Sequence, residues 1–212
     1  MTTTPAHLIR FAELRPERWR NGGGTTVEIA RSGTTADHGC GGTTPTDGTT
    51  STGGTTGPGW DWRLSVADVV KEGPFSPFAG CERVLTVIEG EFMLLTVDGA
   101  EQGLQKYRPF RFDGGAETSA ALPEGPIRDL NLITGPGYRG HVVILELSKK
   151  RPHPVFGGQH AVLLQGTAVA TPAPGEAEGT ALERLDTVVG NDAAPPEVTG
   201  RGFLAVVSVD PR

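Results

Sequence analysis

The chain has 212 residues and a net charge of −6, with no run or face rich in lysine and arginine, which argues against a nucleic-acid partner. No apolar stretch nears the roughly 20 residues that a membrane helix needs, and the opening MTTTPAHLIRF lacks the basic-then-apolar pattern of a signal peptide. The expectation is a cytoplasmic globular protein with no membrane partner, and its two cysteines, Cys40 and Cys81, suggest neither a disulfide framework nor a paired-cysteine metal site.

In chain order, residues 11–19, FAELRPERW, hold the one helical pattern, a turn or two interrupted by Pro16. WRNGGGTTVEIA follows, with three consecutive glycines ahead of a strand. A phosphate loop would want a helix behind it and a lysine followed by Ser or Thr, and the first lysine is Lys71. Two other readings of the glycines are compatible. Gly22, Gly23 and Gly24 can turn backbone N–H groups toward an anion at a pocket mouth, with Asn21 suited to the turn and Trp19 as an apolar wall. Alternatively, the chain makes a tight corner that needs glycine for positive φ. Residues 31–59 are dominated by Gly and Thr, bury too little surface to offset their ordering entropy, and read as a disordered insertion between strands.

Short strands account for the rest. DWRLSVADV alternates, with Arg63, Ser65 and Ala67 opposite Leu64 and Val66. RVLTVIEGEFMLLTVDG reads as a hairpin turning at Glu89-Gly90-Glu91. RDLNLITG alternates again, with Asp129 and Asn131 opposite Leu130 and Leu132, and HVVILEL and GFLAVVSV follow. The 17 prolines and 31 glycines punctuating these runs favour an all-β sandwich or barrel. A weak internal repeat, in which Gly90 corresponds to Gly166 and Leu104 to Leu182, points to two copies of one barrel.

The five histidines, His7, His38, His141, His153 and His160, are scattered without metal-ligand spacing, so neither a metal nor another cofactor is expected. Organic recognition is the better use of the polar strand residues. If the Arg63–Ser65 face lines the barrel, Arg63 needs a partner, either a ligand carboxylate gripped by its planar fork or an internal acid among Glu28, Asp61 and Asp129. Asn131 offers a donor and an acceptor to a ligand amide or to a neighbouring strand. Asp129 is read as holding Arg63 or Arg83 in place. Glu82 and Arg83 are read as a structural pair, and Phe75 and Phe78 as core or rim packing.

Three motifs in order, WRNGGGTTVEIA, WDWRLSVADVVKEGPFSPFAGCERVLTVIEGEF and EGPIRDLNLIT, resemble the HutD/Ves family over most of residues 7–150. The resemblance implies a bicupin, two cupin-type jelly-roll β-barrels in one chain, associated with bacterial histidine utilisation. It also implies binding of a small acidic intermediate, with N-formylglutamate favoured and no catalytic reaction established. The expected layout is an N-terminal barrel over 1–120, carrying the insertion, and a C-terminal barrel over 121–212 whose boundary allows strand exchange. The candidate ligand-binding residues are Trp19, Asn21, Gly22, Gly23, Arg63, Ser65, Phe78 and Asn131. A non-catalytic binding protein that regulates or buffers the pathway leads. The alternatives are a metal-independent enzyme using Glu28, Asp61, Glu82 or Asp129 as base, and a protein-interaction module. Homodimer formation is left open.

Overall fold

The structure is a computed structural model in which residues 8–32, 59–172 and 179–212 are described. Most of the expected insertion, residues 33–58 with His38 and Cys40, lies outside the described residues, as does His7. Apart from one 3-10 turn the regular structure of the described chain is all strand, and the chain divides into two compact units. The first comprises Pro16–Gly140 with Pro211–Arg212, and the second Met1–Arg15 with His141–Asp210. The division therefore falls at Gly140 and not at the expected 120/121, and the N-terminal segment belongs to the second unit. The reason is visible in the sheet: the strand at 127–134 is bonded on both sides to strands of the first unit and cannot leave it.

The first unit has two antiparallel sheets. Six strands run in the order β2 (Pro16–Arg18), β3 (Gly24–Ser32), β4 (Trp62–Val69), β11 (Ile127–Thr134), β6 (Glu82–Glu89) and β9 (Phe110–Asp113). Four run in the order β5 (Gly73–Pro74), β10 (Thr118–Ala121), β7 (Phe92–Val97) and β8 (Ala100–Gln105). Val69, Leu85, Val87 and Ile127 of the larger sheet meet Met93, Leu95, Leu104 and Ala120 of the smaller one in a buried cluster. The expected hairpin at residues 89–91 is corrected here. Gly90, at φ +80°, turns the chain so that β6 and β7 enter different sheets. A helix over 11–19 is also not formed. A 3-10 turn, Phe11–Glu13, is followed by β2, where Pro16 occupies a sheet edge, the one place a residue without an N–H fits a ladder.

The second unit has one seven-stranded sheet. β1 (Leu8–Ile9), β16 (Thr187–Val189), β14 (Gln159–Thr171), β17 (Glu197–Pro211) and β12 (Tyr138–Leu147) are neighbours in that order. β13 (His153–Pro154) pairs with β17, and β15 (Thr180–Leu182) with β14. β14 slips register between Leu163 and Gln165, and just beyond lie Gly166 (φ +104°) and its partner Gly202 (φ +118°). A Cβ on Gly202 would stand 1.9 Å from the Gln165 carbonyl oxygen, so only glycine fits this crossing. Leu163, Val188, Val198, Leu204 and Val206 form the core.

Cys81, buried beside Trp60, Ile133 and Phe78, is disulfide-bonded, against the expectation from the sequence; its partner lies outside the described residues. No helix among the described residues is long and apolar enough to cross a membrane.

Candidate functional site

Strand alternation places the site. On β11 the residues at 127, 129, 131 and 133 share one face, and Ile127 and Ile133 of that set enter core clusters of the first unit. Register then builds polar rows across three strands. Arg63 and Arg83 flank Ile133, Ser65 and Leu85 flank Asn131, and Ala67 and Val87 flank Asp129. β3 adds Glu28 beside Ser65. An otherwise apolar interior thus carries two arginines, two acids, an amide and a hydroxyl.

Arg83 is at the centre and is only 5% exposed. Its guanidinium carbon lies 5.4 Å from the Phe75 ring centre, 5.5 Å from that of Phe78 and 5.2 Å from that of Phe112. Those electron-rich faces favour a cation. One Nη2–H donates to Asn131 Oδ1 at 2.9 Å, while the buried Nε–H has no hydrogen-bond partner. Asn131 uses its other end, donating from Nδ2 to Asp129 Oδ1. Asp129 is fully buried, and its Oδ2 has no hydrogen-bond partner. Burial pushes the Asp129 carboxyl up to about 7 despite the opposing pull of Arg83, and burial brings Arg83 down to about 10, where it is still charged at neutral pH.

Arg63 is paired. Its Nε–H donates to Glu28 Oε2 at 2.8 Å, and Arg31 Nε approaches Glu28 Oε1 at 3.4 Å. Side-chain exposure falls from 34% at Glu28 to 20% at Arg63, and the Arg83 and Asp129 residues are nearly or wholly enclosed. The cluster therefore has a solvated lip and a buried floor.

The expected residues divide into two groups. Arg63, Ser65, Asn131 and Phe78 are gathered around this cluster, and Trp19 stands nearby, edge-on to Phe75 at 5.9 Å with its Nε1–H on Thr26 Oγ1. Asn21, Gly22 and Gly23 are not an anion nest. The Gly22 N–H donates to the Trp19 carbonyl and the Gly23 N–H to Asn21 Oδ1, so these donors are already used within the turn. The glycines make a corner: Gly22 has φ +65°, and a Cβ on Gly24 would stand 2.1 Å from the Asp68 carbonyl oxygen.

Arg83 is the residue of the cluster that sequence reasoning misassigned. Glu82 and Arg83 are adjacent on one strand and point to opposite faces, so they cannot pair as read. Glu82 instead bonds Arg111 on the far side. There a cavity of about 380 Å³ is lined by Gly80, Glu82, Arg111, Asp113, Pro136 and Arg212, among others; Glu82 pairs with both Arg111 and Arg212, and Asp113 accepts from the Gly115 N–H. Among the described residues no three His, Cys, Asp or Glu side chains gather as a metal-ligand set.

The chain is similar to known proteins along most of its length. A protein of 21.2 kDa from the hutC 3′ region of Pseudomonas putida is 38% identical over 131 residues, 61% of this chain and 58% of that protein. Protein Ves of Citrobacter koseri is 36% identical over 118 residues, 55% of this chain and 51% of that protein. The chain thus spans little more than half the length of these curated relatives. The structure of HutD from Pseudomonas fluorescens SBW25, in a formate condition, matches with a TM-score of 0.71 and 32% identity, covering 97% of this chain and 98% of that one. A cupin 2 conserved barrel domain protein from Leptotrichia buccalis, at 8% identity and a TM-score of 0.50 over 72% of this chain and 84% of its own, shares the fold alone. The all-β, cupin-type fold expected from the sequence is the fold found. With the HutD family pattern matching residues 11–206, the chain belongs to the HutD family, related to histidine utilisation.

Proposed function

We propose that the first unit is a receptor for a small carboxylate, held by Arg83 at the floor of the cluster and assisted by Arg63 at its lip. The observation that carries this reading is the orphaned Nε–H of a guanidinium that is 95% buried and has a single hydrogen bond. A buried charged donor left unmade is costly, and a carboxylate accepting side-on from Nε and Nη would satisfy it. Arg63 lies in the same row two strands away, roughly 10 Å between backbones, a span that suits a molecule with two acidic ends. N-formylglutamate, favoured by the family resemblance, fits that description, and the related HutD structure was obtained in a formate condition. The role that follows is a sensor or buffer of a histidine-derived acid.

Calorimetric titration with N-formyl-L-glutamate tests the assignment. Arg83→Met keeps the volume, removes the fork, and should weaken binding by at least about thirtyfold while the far-ultraviolet spectrum stays unchanged. Arg63→Ala should weaken it less, because Glu28 already neutralises that side chain. Equal affinity in wild type and Arg83→Met would remove the assignment.

One observation favours a second reading, catalysis without a metal: a buried carboxyl near 7 is suited to act as a general base. Incubation with N-formyl-L-glutamate followed by proton NMR decides it. Release of formate that Asp129→Asn abolishes would make the protein an enzyme.

A further inference from the structure

The interior cluster has a charge problem that a ligand would sharpen. Arg83 is opposed by one internal acid, Asp129, and the two are joined only through the Asn131 amide. From β4 the nearby charge is Arg63, and it is already matched by Glu28 of β3. Asp68, also on β4, adds a second repulsive carboxylate, itself bonded to Arg128. The opposite sheet contributes apolar Met93, Leu95, Leu104 and Ala120, so nothing on that side compensates an added anion. A carboxylate docking on Arg83 would put two anions against one cation in a desolvated place.

We propose that Asp129 takes up a proton from solvent when a ligand carboxylate binds Arg83, so that the site exchanges an internal anion for an external one and binding consumes about one proton. This rests on the carboxylate-receptor reading above. The geometry supplies the acceptor: Oδ2 is the free oxygen of Asp129, and once protonated it becomes an O–H donor that can point at the incoming carboxylate. Burial already holds the free carboxyl near neutrality, so the further rise needed on ligand binding is modest. The consequence is a receptor whose affinity falls as the medium turns alkaline.

The test is titration of the full chain with N-formyl-L-glutamate, whose own carboxyls stay ionised throughout, between pH 6.5 and 8.5 in phosphate and in Tris. These buffers differ in ionisation enthalpy and so report protons exchanged. Uptake should rise as the pH passes through the titration of free Asp129, toward one proton per ligand where the free carboxyl is ionised and the bound one is not, with the Kd rising by up to about tenfold per pH unit there. Asp129→Asn, a neutral isostere, should bind without uptake and with a flat Kd. Infrared difference spectra of the wild type should gain a protonated-carboxyl band on binding, which keeps the idea falsifiable if Asp129→Asn does not fold. Binding with no proton uptake, a level Kd and no such band would overturn this inference and leave the receptor standing. No wild-type binding at any pH would overturn both.

Discussion

The two units are built from similar strands but fill their interiors differently. In the second unit the main core cluster is aliphatic, and among the described residues an ion pair sits where the N-terminal segment docks. Asp186, 1% exposed, accepts from Arg10 Nη1 at 2.5 Å, the Phe11 N–H at 3.0 Å and the Glu183 N–H at 2.9 Å. Both oxygens of that carboxylate are engaged, although the ring of His153 in the same unit leaves Nε2 without a hydrogen-bond partner. In the first unit the buried charges are arranged with atoms left over. A satisfied buried carboxylate reads as structure, whereas an unsatisfied guanidinium beside an unsatisfied carboxyl reads as a place for something else.

That contrast can be broken by substitution. Asp186→Ala should show the largest change in stability, about 3 kcal/mol in urea denaturation of the second unit, because it strands Arg10 and two backbone donors. A loss under about 1 kcal/mol would mean that the clamp is decorative. Acid should then separate the units by opposite slopes. Asp129 has its folded pKa raised to about 7, so between about pH 4 and 7 the folded first unit binds more protons than its unfolded chain, and stability falls as pH rises. His160 is pushed down to about 4 by burial, so between about 4 and 6.5 the unfolded second unit binds more protons, and stability rises with pH. Hydrogen exchange at pH 4.5 and 7, corrected for intrinsic rates, should show amide protection on β6 and on β14 moving in opposite directions. Asp129→Asn and His160→Gln should each flatten their own unit. The smallest effect belongs to Gly22→Ala, about 1 kcal/mol from positive φ alone, since a Cβ there meets nothing within 4 Å. Ligand affinity should not change; a large drop would revive the anion-nest reading.

Much of this was legible in the sequence wherever one face of a strand is polar. Arg63 and Ser65 against Leu64 and Val66, and Asp129 and Asn131 against Leu130 and Leu132, follow from period-two alternation, and the structure keeps each set together. β6 was opaque for the opposite reason. Val84, Leu85, Thr86, Val87 and Ile88 are all buried, so the strand offers no polar face to orient Arg83. A parity count from Arg83 to Leu85 and Val87 was the available signal. The separation of β6 from β7 was hidden because a glycine at a corner and a glycine in a hairpin look alike in sequence. The Gly90–Gly166 correspondence holds only in part. Both have positive φ, but one breaks two strands apart and the other lies within a single long strand.

The docking of β1 on β16 also sets a timetable. Leu8 pairs with Val188, so β1 is completed by a strand made about 180 residues after it. During synthesis, Pro16–Gly140 has nearly all its strands in hand well before β16 exists, and it can close while residues 8–15 wait without a sheet to join. The second unit is thus the slow half, tied to a loop closed over most of the chain, and the half in which truncation near residue 188 would leave a ready-made first unit with a loose leading strand.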